Sequence, residues 1–470
     1  MTDGTPSSPP PERYDVLVVG AGIAGMEASI TLGDAGFKTL LVEREPTIGG
    51  KVLLLSKVFP TLDCASCISG TKTSRVSHHP NIDMRTYTEV EAIRREPDGS
   101  FLVRLREKPR YVDMATCTGC GDCEKACPII VPKENDFGLR GRKSIYIPFD
   151  TGVPKKAVLD MKNCIYCMAC ERACPADAID FLQAEKVREV RVGAVLLSTG
   201  FNLFPAEKKA AYHYGEYPNV VTAMQMDRLV GPTRPYNSVM RLSDGKEPAN
   251  IAYALCTGSR DLTVGNPRCS QVCCMYSMKQ AQLLMGILPT ADITLYYMDI
   301  RAYGKGFEEF YQQTKAMGVK FVRGRVAKIE ETSGNDLRVY HEDTEGRGVL
   351  VKSDHDLVVL SIGLLPNPGI ATIFTNETLE LDEMGWIKMR NETQSPSMTS
   401  IDGVFVAGCA SGPKDIPDSI AEASSAVSQC IAYLTQMRGL APSGVVPEQT
   451  RQESNGEASG LHREVPVEAK

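Results

Sequence analysis

The sequence predicts an α/β chain made of two nucleotide-type folds, with a small cysteine-rich module inserted into the first. Three observations lead to this. A buried-strand pattern, Tyr14 to Val19, runs into Gly20-Ala-Gly22-Ile-Ala-Gly25 and a helix of small residues. A second series of strand and helix patterns opens at Asn250, and two runs of four cysteines interrupt the first series. With 470 residues and 43% hydrophobic content, the chain is long enough for more than one core. A net charge of −6 without a basic cluster gives no electrostatic footprint for nucleic acid or an anionic membrane. No apolar run approaches the ~20 residues of a membrane-spanning helix, so membrane contact is expected only through partners. Sixteen cysteines and a polar, Pro-rich start without an apolar leader segment point to a reducing, cytoplasmic location.

In order, residues 1–12 read as a disordered tail and 13–108 as the first part of an FAD-binding domain. The glycines allow the tight turn and close approach of backbone to a pyrophosphate, the helix start favours the anion, and Glu43 closes the next strand where a ribose hydroxyl would be bound. Gly49-Gly50-Lys51 continues the pattern of FAD-binding proteins. Cys64 and Cys67 follow in a loop region, with redox or auxiliary ligand duty and plain structural thiols both open. His78-His79-Pro80 reads as loop. Arg85–Arg94 and Ser100–Arg106 alternate as strands about an Asp98-Gly99 turn. The meander resumes at Val187–Val192 and runs on to Gly200, so residues 109–186 are an insertion and 187–248 return to the FAD domain.

The inserted segment carries Cys117-x2-Cys120-x2-Cys123-x3-Cys127-Pro128 and Cys164-x2-Cys167-x2-Cys170-x3-Cys174-Pro175. This is the two-cluster ferredoxin spacing, in which the fourth cysteine of each run crosses to the other cluster. It assigns Cys117, Cys120, Cys123 and Cys174 to one [4Fe-4S] cluster, and Cys164, Cys167, Cys170 and Cys127 to its neighbour. A pair of zinc sites is the alternative, which two complete runs each closed by Pro disfavour.

Residues 249–378 form a second nucleotide-type fold, with strands at Asn250–Leu255, Ile293–Met298, Val319–Val322 and Leu357–Ile362 and a helix over Phe307–Met317. Its first strand leads into Cys256-Thr-Gly-Ser-Arg260 rather than a second GxGxxG, which argues against NAD(P)H at the usual place. Cys256, Cys269, Cys273 and Cys274 follow no common spacing, so a metal-thiolate site, structural thiols and a redox disulfide all stay open. Residues 379–440 return to the FAD domain through Gly403 to Gly408 and Cys409, and a helix from about Pro417, with Asp415 near its N-cap, aims its positive end at the flavin. Gly200, Gly408, Cys409, Ile416 and Pro417 complete the expected cofactor contacts. Cys430 and Trp386 read as packing, and residues 441–470 as a disordered tail.

The segments GAGIAGMEAS, FPTLDCASCI, CTGCGDCEKACP, QVCCMYSMKQA, YMDIRAYGKGFEEFY and GPKDIPDSIAEAS resemble the A-type subunits of CoB/CoM heterodisulfide reductase and their bacterial heterodisulfide-reductase-like relatives over roughly Tyr14 to Leu434. The resemblance implies a thioredoxin-reductase-like FAD fold with an inserted two-cluster ferredoxin. It also implies a third [4Fe-4S] cluster on Cys256, Cys269, Cys273 and Cys274, and a lysine near flavin N5, here Lys279. The longer family members carry further domains at both ends that this chain is expected to lack.

The implied function is an FAD and iron-sulfur electron-transfer subunit of an oxidoreductase complex, with flavin-based bifurcation among the modes of the family. Its implied partners are B and C subunits and an iron-sulfur donor or acceptor, in a homodimer within a larger complex. The related roles are the equivalent subunit of a quinone-interacting complex of sulfur metabolism or of a benzoyl-CoA reductase complex. A self-sufficient NAD(P)H-dependent disulfide or quinone reductase and a non-catalytic scaffold are the alternatives.

Overall fold

The computed structural model describes residues 11–344, 348–437 and 439. The expected tails lie almost wholly outside these residues, but order already begins at β1 (Glu12–Val19). Its Val16, Leu17 and Val18 are all buried, since both faces of a parallel sheet are covered. Helix α1 (Ile23–Asp34), β2 (Thr39–Glu43) and a 3-10 turn, Gly50–Leu54, follow. Then come α2 (Ala65–His78), β3 (Ile82–Thr86), β4 (Thr88–Arg95) and β5 (Phe101–Glu107). The residues expected to loop at His78-His79 instead end α2, and the His79 ring packs against Gly33 and bonds Asp34 at 3.2 Å.

The insertion holds α3 (Asp122–Ala126), the hairpin β6 (Ile130–Pro132) with β7 (Gly141–Lys143), the pair β8 (Ile145–Tyr146) and β9 (Val158–Leu159), and α4 (Ala169–Arg172). It has a small core of its own, in which Val112, Ile145, Leu159 and Ile179 surround cysteines of both runs. The chain leaves it through β10 (Lys186–Leu197), a single strand along which the sequence pattern runs on without a break. One edge of β10 pairs with β1; on the other, its first half pairs antiparallel with β5 and its second half parallel with the late strand β21. The expected meander is therefore part of the main sheet, whose order is β3-β2-β1-β10-β5-β4.

After β11 (Asn202–Leu203), the strand β12 (Val220–Thr222) and helix α5 (Ala223–Leu229) depart from the expected boundary. They fall within the stretch assigned to the FAD domain, yet β12 pairs with β19 of the second sheet. α5 is held by a reciprocal cap between Thr222 and Gln225. The second sheet continues with β13 (Asn250–Thr257), α6 (Cys273–Ile287), β14 (Asp292–Tyr297), α7 (Phe307–Ala316) and β15 (Lys320–Arg323). An antiparallel flap, β16 (Val326–Glu331), β17 (Leu337–Asp343) and β18 (Val349–His355), precedes β19 (Leu357–Ile362) and β20 (Leu364–Leu365). The parallel order is β12-β19-β13-β14-β15. The chain closes on the first sheet with β21 (Val404–Val406) and α8 (Ile416–Ala432), which packs beside α1 through Ala423, Ala426, Val427 and Cys430. Trp386 is buried.

The insertion does not simply project away from the flavin domain. Its middle folds back onto the second domain, where the buried carboxylate of Asp136 receives Arg228 Nε at 2.8 Å and Arg140 Nε at 2.5 Å. The Phe137 and Leu139 carbonyls accept from Gln225 and Tyr236. Arg110, at the entry to the insertion, donates to the Pro46 carbonyl at 2.7 Å. Paired, hydrogen-bonded burial of this kind fixes orientation, because neither partner can leave without stranding a charge.

Candidate functional site

The first site grows from the β1–α1 turn. Gly20 adopts φ +98, and a side-chain carbon there would lie 2.5 Å from the Ser198 carbonyl oxygen. At Gly25 the same atom would overlap the Gly20 carbonyl, so this glycine lets α1 pack on the turn and does not itself face the ligand space. Gly22, by contrast, opens onto free space, as does Gly200. Both border a cavity of about 710 Å³ that runs past Glu43, Gly50, Lys51, Ser198 and Cys409. α1 has no side-chain cap and no acid in its first turn, leaving backbone N–H groups for an anion.

Glu43 is buried at the cavity wall, with Oε2 accepting from Ala21 N–H at 2.7 Å and Oε1 from Glu45 N–H at 3.0 Å. Burial pushes its carboxyl up, and those two N–H donors oppose the shift. Each oxygen keeps a further lone pair for a hydroxyl. Lys51 reaches across to the Phe201 carbonyl at 2.7 Å, and burial lowers its ammonium from the ordinary range. A glycine-lined trough, free N–H groups and an acceptor at the second strand end fit an FAD.

Several expected contacts are arranged differently. Gly49, Gly408, Ile416 and Pro417 do not line the cavity, whereas Ala407 and Ser419 do, because the 3-10 turn after Ala407 and the first turn of α8 present those neighbours instead. Asp415 caps α8, accepting from Asp418 N–H at 2.8 Å. Sequence reasoning misses an entire wall. Glu134, Asn135, Phe137, Tyr146, Pro148 and Phe149 of the insertion close the cavity opposite the glycines. No local motif marks them; only the length of chain between the cysteine runs hints that something more than a ferredoxin is there.

Lys279 is not at this cavity. It lies buried on α6, with Nζ 2.7 Å from both carboxylate oxygens of Asp227 and 3.1 Å from the Lys57 carbonyl. Asp227 also accepts from Ser56 N–H and Oγ and from Gln280 Nε2. Burial would raise its carboxyl, but the charge and hydrogen bonds of Lys279 outweigh that and hold it below the ordinary value. With its charge already committed, Lys279 acts as a tie between α5, α6 and the Ser56–Lys57 segment.

The two cysteine runs converge in crossed sets. Cys117, Cys120, Cys123 and Cys174 line one small apolar cavity with Val112, Ala157, Ala178 and Ile179. Cys127, Cys164, Cys167 and Cys170 line another with Ile145, Leu159 and Phe181. Burial pushes the Cys123 thiol up to about 12, and the neighbouring Cys117, Cys120 and Cys174 add to the shift. Four thiols crowded into apolar surroundings are poorly placed as free anions, and a polynuclear cation supplies the missing charge. The cavity between each set of four thiols suits a cluster.

Backbone N–H groups point at the sulfurs: Ala178 to Cys174 at 3.3 Å and Tyr166 to Cys164 at 3.4 Å. Such donors stabilise thiolate ligands and tune a cluster's potential. Tyr166 achieves this with φ +55, and Gly119, two residues after Cys117, has φ +70.

The third set lies at the carboxyl ends of the second sheet, with Cys273 Sγ 3.8 Å from the Ile362 carbonyl at the end of β19 and Cys274 Sγ 3.8 Å from the Asp299 carbonyl after β14. Cys256 is the penultimate residue of a bulged β13, with φ +59, and Cys273 and Cys274 open α6. The four thiols are close enough that Cys256, Cys269 and Cys274 each disfavour ionisation of Cys273, on top of its burial. Burial raises Cys256 to about 11 and Cys274 to about 12, with Arg260 opposing the shift at Cys256. Gln271, at φ +60, donates its N–H to Cys269 Sγ at 3.3 Å, the same relation as Tyr166 to Cys164. A pyrophosphate has no trough here, because the Phe204 ring fills the space a side chain on Gly258 would occupy. Phe204 directly follows the cavity-lining Leu203 of β11, so one short strand joins the surroundings of the two sites.

Comparison with known proteins covers the insertion and the glycine turn. Residues 116–179 match the family described as 4Fe-4S dicluster domain, and residues 15–61 match FAD dependent oxidoreductase. The chain is 46% identical over 424 residues to the second iron-sulfur A-subunit of the CoB--CoM heterodisulfide reductase of Methanopyrus kandleri, covering 89% of this chain and 64% of that protein. It is 43% identical over 418 residues to the A-subunit of the H(2):CoB-CoM heterodisulfide,ferredoxin reductase of Methanothermobacter marburgensis, covering 88% and 63%. The chain thus spans slightly under two thirds of these relatives. In fold it resembles the thioredoxin reductase of T. acidophilum, with a TM-score of 0.50, 13% identity, and 90% and 98% of the two chains covered.

Proposed function

This chain is homologous over about nine-tenths of its length to the A-type subunits of CoB-CoM heterodisulfide reductase, and from that premise we propose that it is the FAD and iron-sulfur electron-transfer subunit of a heterodisulfide-reductase-like complex. The observation that carries this reading is the shared wall. Phe137, Tyr146 and Phe149 belong to the module that gathers eight thiols, and they also close the cavity formed by the glycine turn and Glu43. Such an arrangement suits a flavin that trades electrons with clusters rather than with a diffusing nucleotide. FAD, when bound, supplies one- or two-electron chemistry, and each cluster supplies a one-electron step.

The roles of the chain's own residues follow from where they sit. The first-turn N–H groups of α1 would bind the pyrophosphate, and Glu43 would accept from the ribose. Lys51 places a cation in the cavity, and the insertion's aromatic side chains exclude water from it. Cys117, Cys120, Cys123 and Cys174 would hold one cluster, and Cys127, Cys164, Cys167 and Cys170 the second. Cys256, Cys269, Cys273 and Cys274 would hold a third, a reading supported by the Gln271 N–H that repeats the Tyr166 arrangement. The expected partners are B and C subunits and an iron-sulfur donor or acceptor.

Metal and flavin analysis of the anaerobically purified protein tests this reading. Three clusters give about twelve iron atoms and as many acid-labile sulfides per FAD. A value of about eight would rule out the third site.

A further inference from the structure

One pair of cysteines outside these sites is also brought together. Helix α2 starts at Ala65 with Cys64 as its N-cap, a helical setting that the sequence reading does not provide. Cys67 N–H and Ile68 N–H return to the Cys64 carbonyl at 3.1 and 3.2 Å, closing the first turn. This turn places both cysteines at the start of α2, close enough for each thiol to shift the ionisation of the other.

The support beneath the pair is firm. Cys64 bridges to Lys57, and Ala65 N–H donates to the Ser56 carbonyl at 3.4 Å. Ser56 and Lys57 are held in turn by the buried Asp227–Lys279 pair. The thiols themselves stay accessible, with Cys67 exposed and Cys64 half-buried. Cysteine used for packing is normally buried, so packing accounts for neither.

The two thiols are also unequal. The Cys67 thiol donates to the Cys64 sulfur, and then the N–H groups of Cys67 and Ser66 and the Lys57 charge add to the effect, so Cys64 is held below the ordinary thiol range. The same hydrogen bond and the Cys64 charge push Cys67 up. One sulfur is set as a nucleophile and its neighbour as the group that resolves it.

We propose that Cys64 and Cys67 form a surface dithiol that exchanges with low-molecular-weight disulfides. The Cys64 thiolate attacks one sulfur of R–S–S–R′, forming a mixed disulfide and expelling R′–S⁻, which takes up the proton Cys64 has lost. Cys67 then gives up its proton and attacks the Cys64 sulfur, expelling the second thiolate, which takes up that proton. The protein dithiol is oxidised by two electrons to a disulfide, and R–S–S–R′ is reduced to two thiols.

The test exposes the anaerobic holoprotein to oxidised glutathione, quenches by alkylation and maps the peptides by mass spectrometry. Wild type is expected to yield an internal Cys64–Cys67 disulfide. Cys67→Ser should stall with glutathione on Cys64, and Cys64→Ser should form its adduct on Cys67 about tenfold more slowly, because only Cys64 has the helix-start N–H groups of Ser66 and Cys67 and the Lys57 charge beside it, and these act without the partner thiol. Both variants should keep the iron and FAD content of wild type. The proposal is overturned if wild type forms no internal disulfide or if the two variants react at equal rates. It is equally overturned if Cys64→Ser loses iron, which would make the pair cluster ligands.

Discussion

Cys174→Ser is expected to empty the site of the first cysteine run, not the second, with the loss of about four iron atoms per chain. Cys174 stands at the end of the second run, but its sulfur lines the cavity of Cys117, Cys120 and Cys123. Replacement also wastes the Ala178 N–H that is aimed at that sulfur. Alkylation followed by peptide mapping separates the two assignments. In Cys174→Ser, Cys117, Cys120 and Cys123 should become reactive while Cys164, Cys167 and Cys170 stay protected. Cys127→Ser should give the mirror result, because Cys127 lines the other cavity. Labelling of Cys164, Cys167 and Cys170 in Cys174→Ser would show that each run serves its own cluster.

Lys279→Met should cost about 3–5 kcal/mol, the usual penalty for stranding one charge of a buried pair. Methionine fills the same space, so packing changes little and the loss reports on Asp227. The carboxylate would keep its Ser56 and Gln280 donors but no cation. Adding Asp227→Asn to Lys279→Met should recover part of the loss, since the double variant strands no charge. The pH dependence has a definite sign. Asp227 is held below its ordinary value of 3.8, so its contribution is present above that value and disappears as the pH falls through the lowered folded value. The gap in chemical-denaturation midpoint between wild type and Lys279→Met should therefore narrow in acid. An unchanged midpoint at neutral pH would mean that the pair does not tie α5 and α6 to the Ser56–Lys57 segment.

What can be read from the sequence is local. The glycine turn, Glu43 and the two cysteine runs depend on residues a few positions apart or on one strand-helix-strand unit, and the fold honours them. β12 escapes such reading because its partner is β19, and parallel pairing leaves no mark on a strand of three residues. Only resemblance draws Lys279 to the flavin; its actual partner, Asp227, lies on another helix and carries no signature. The role of Phe137, Tyr146 and Phe149 is likewise legible only once the insertion is folded back through Asp136 and Arg228. Cys64 reads as loop because cysteine is not among the residues that announce a helix N-cap.

The third thiol set occupies the position that a second nucleotide would need, with Phe204 against Gly258 and Cys273 and Cys274 at the start of α6. A flavin served by clusters and protein partners has a distinct signature in rapid anaerobic mixing. Reduced ferredoxin should bleach the flavin absorbance of the holoprotein, whereas NADH and NADPH should leave it unchanged on the same timescale. Rapid bleaching by either nucleotide, with none by reduced ferredoxin, would mean that the flavin takes its electrons from a diffusing nucleotide instead.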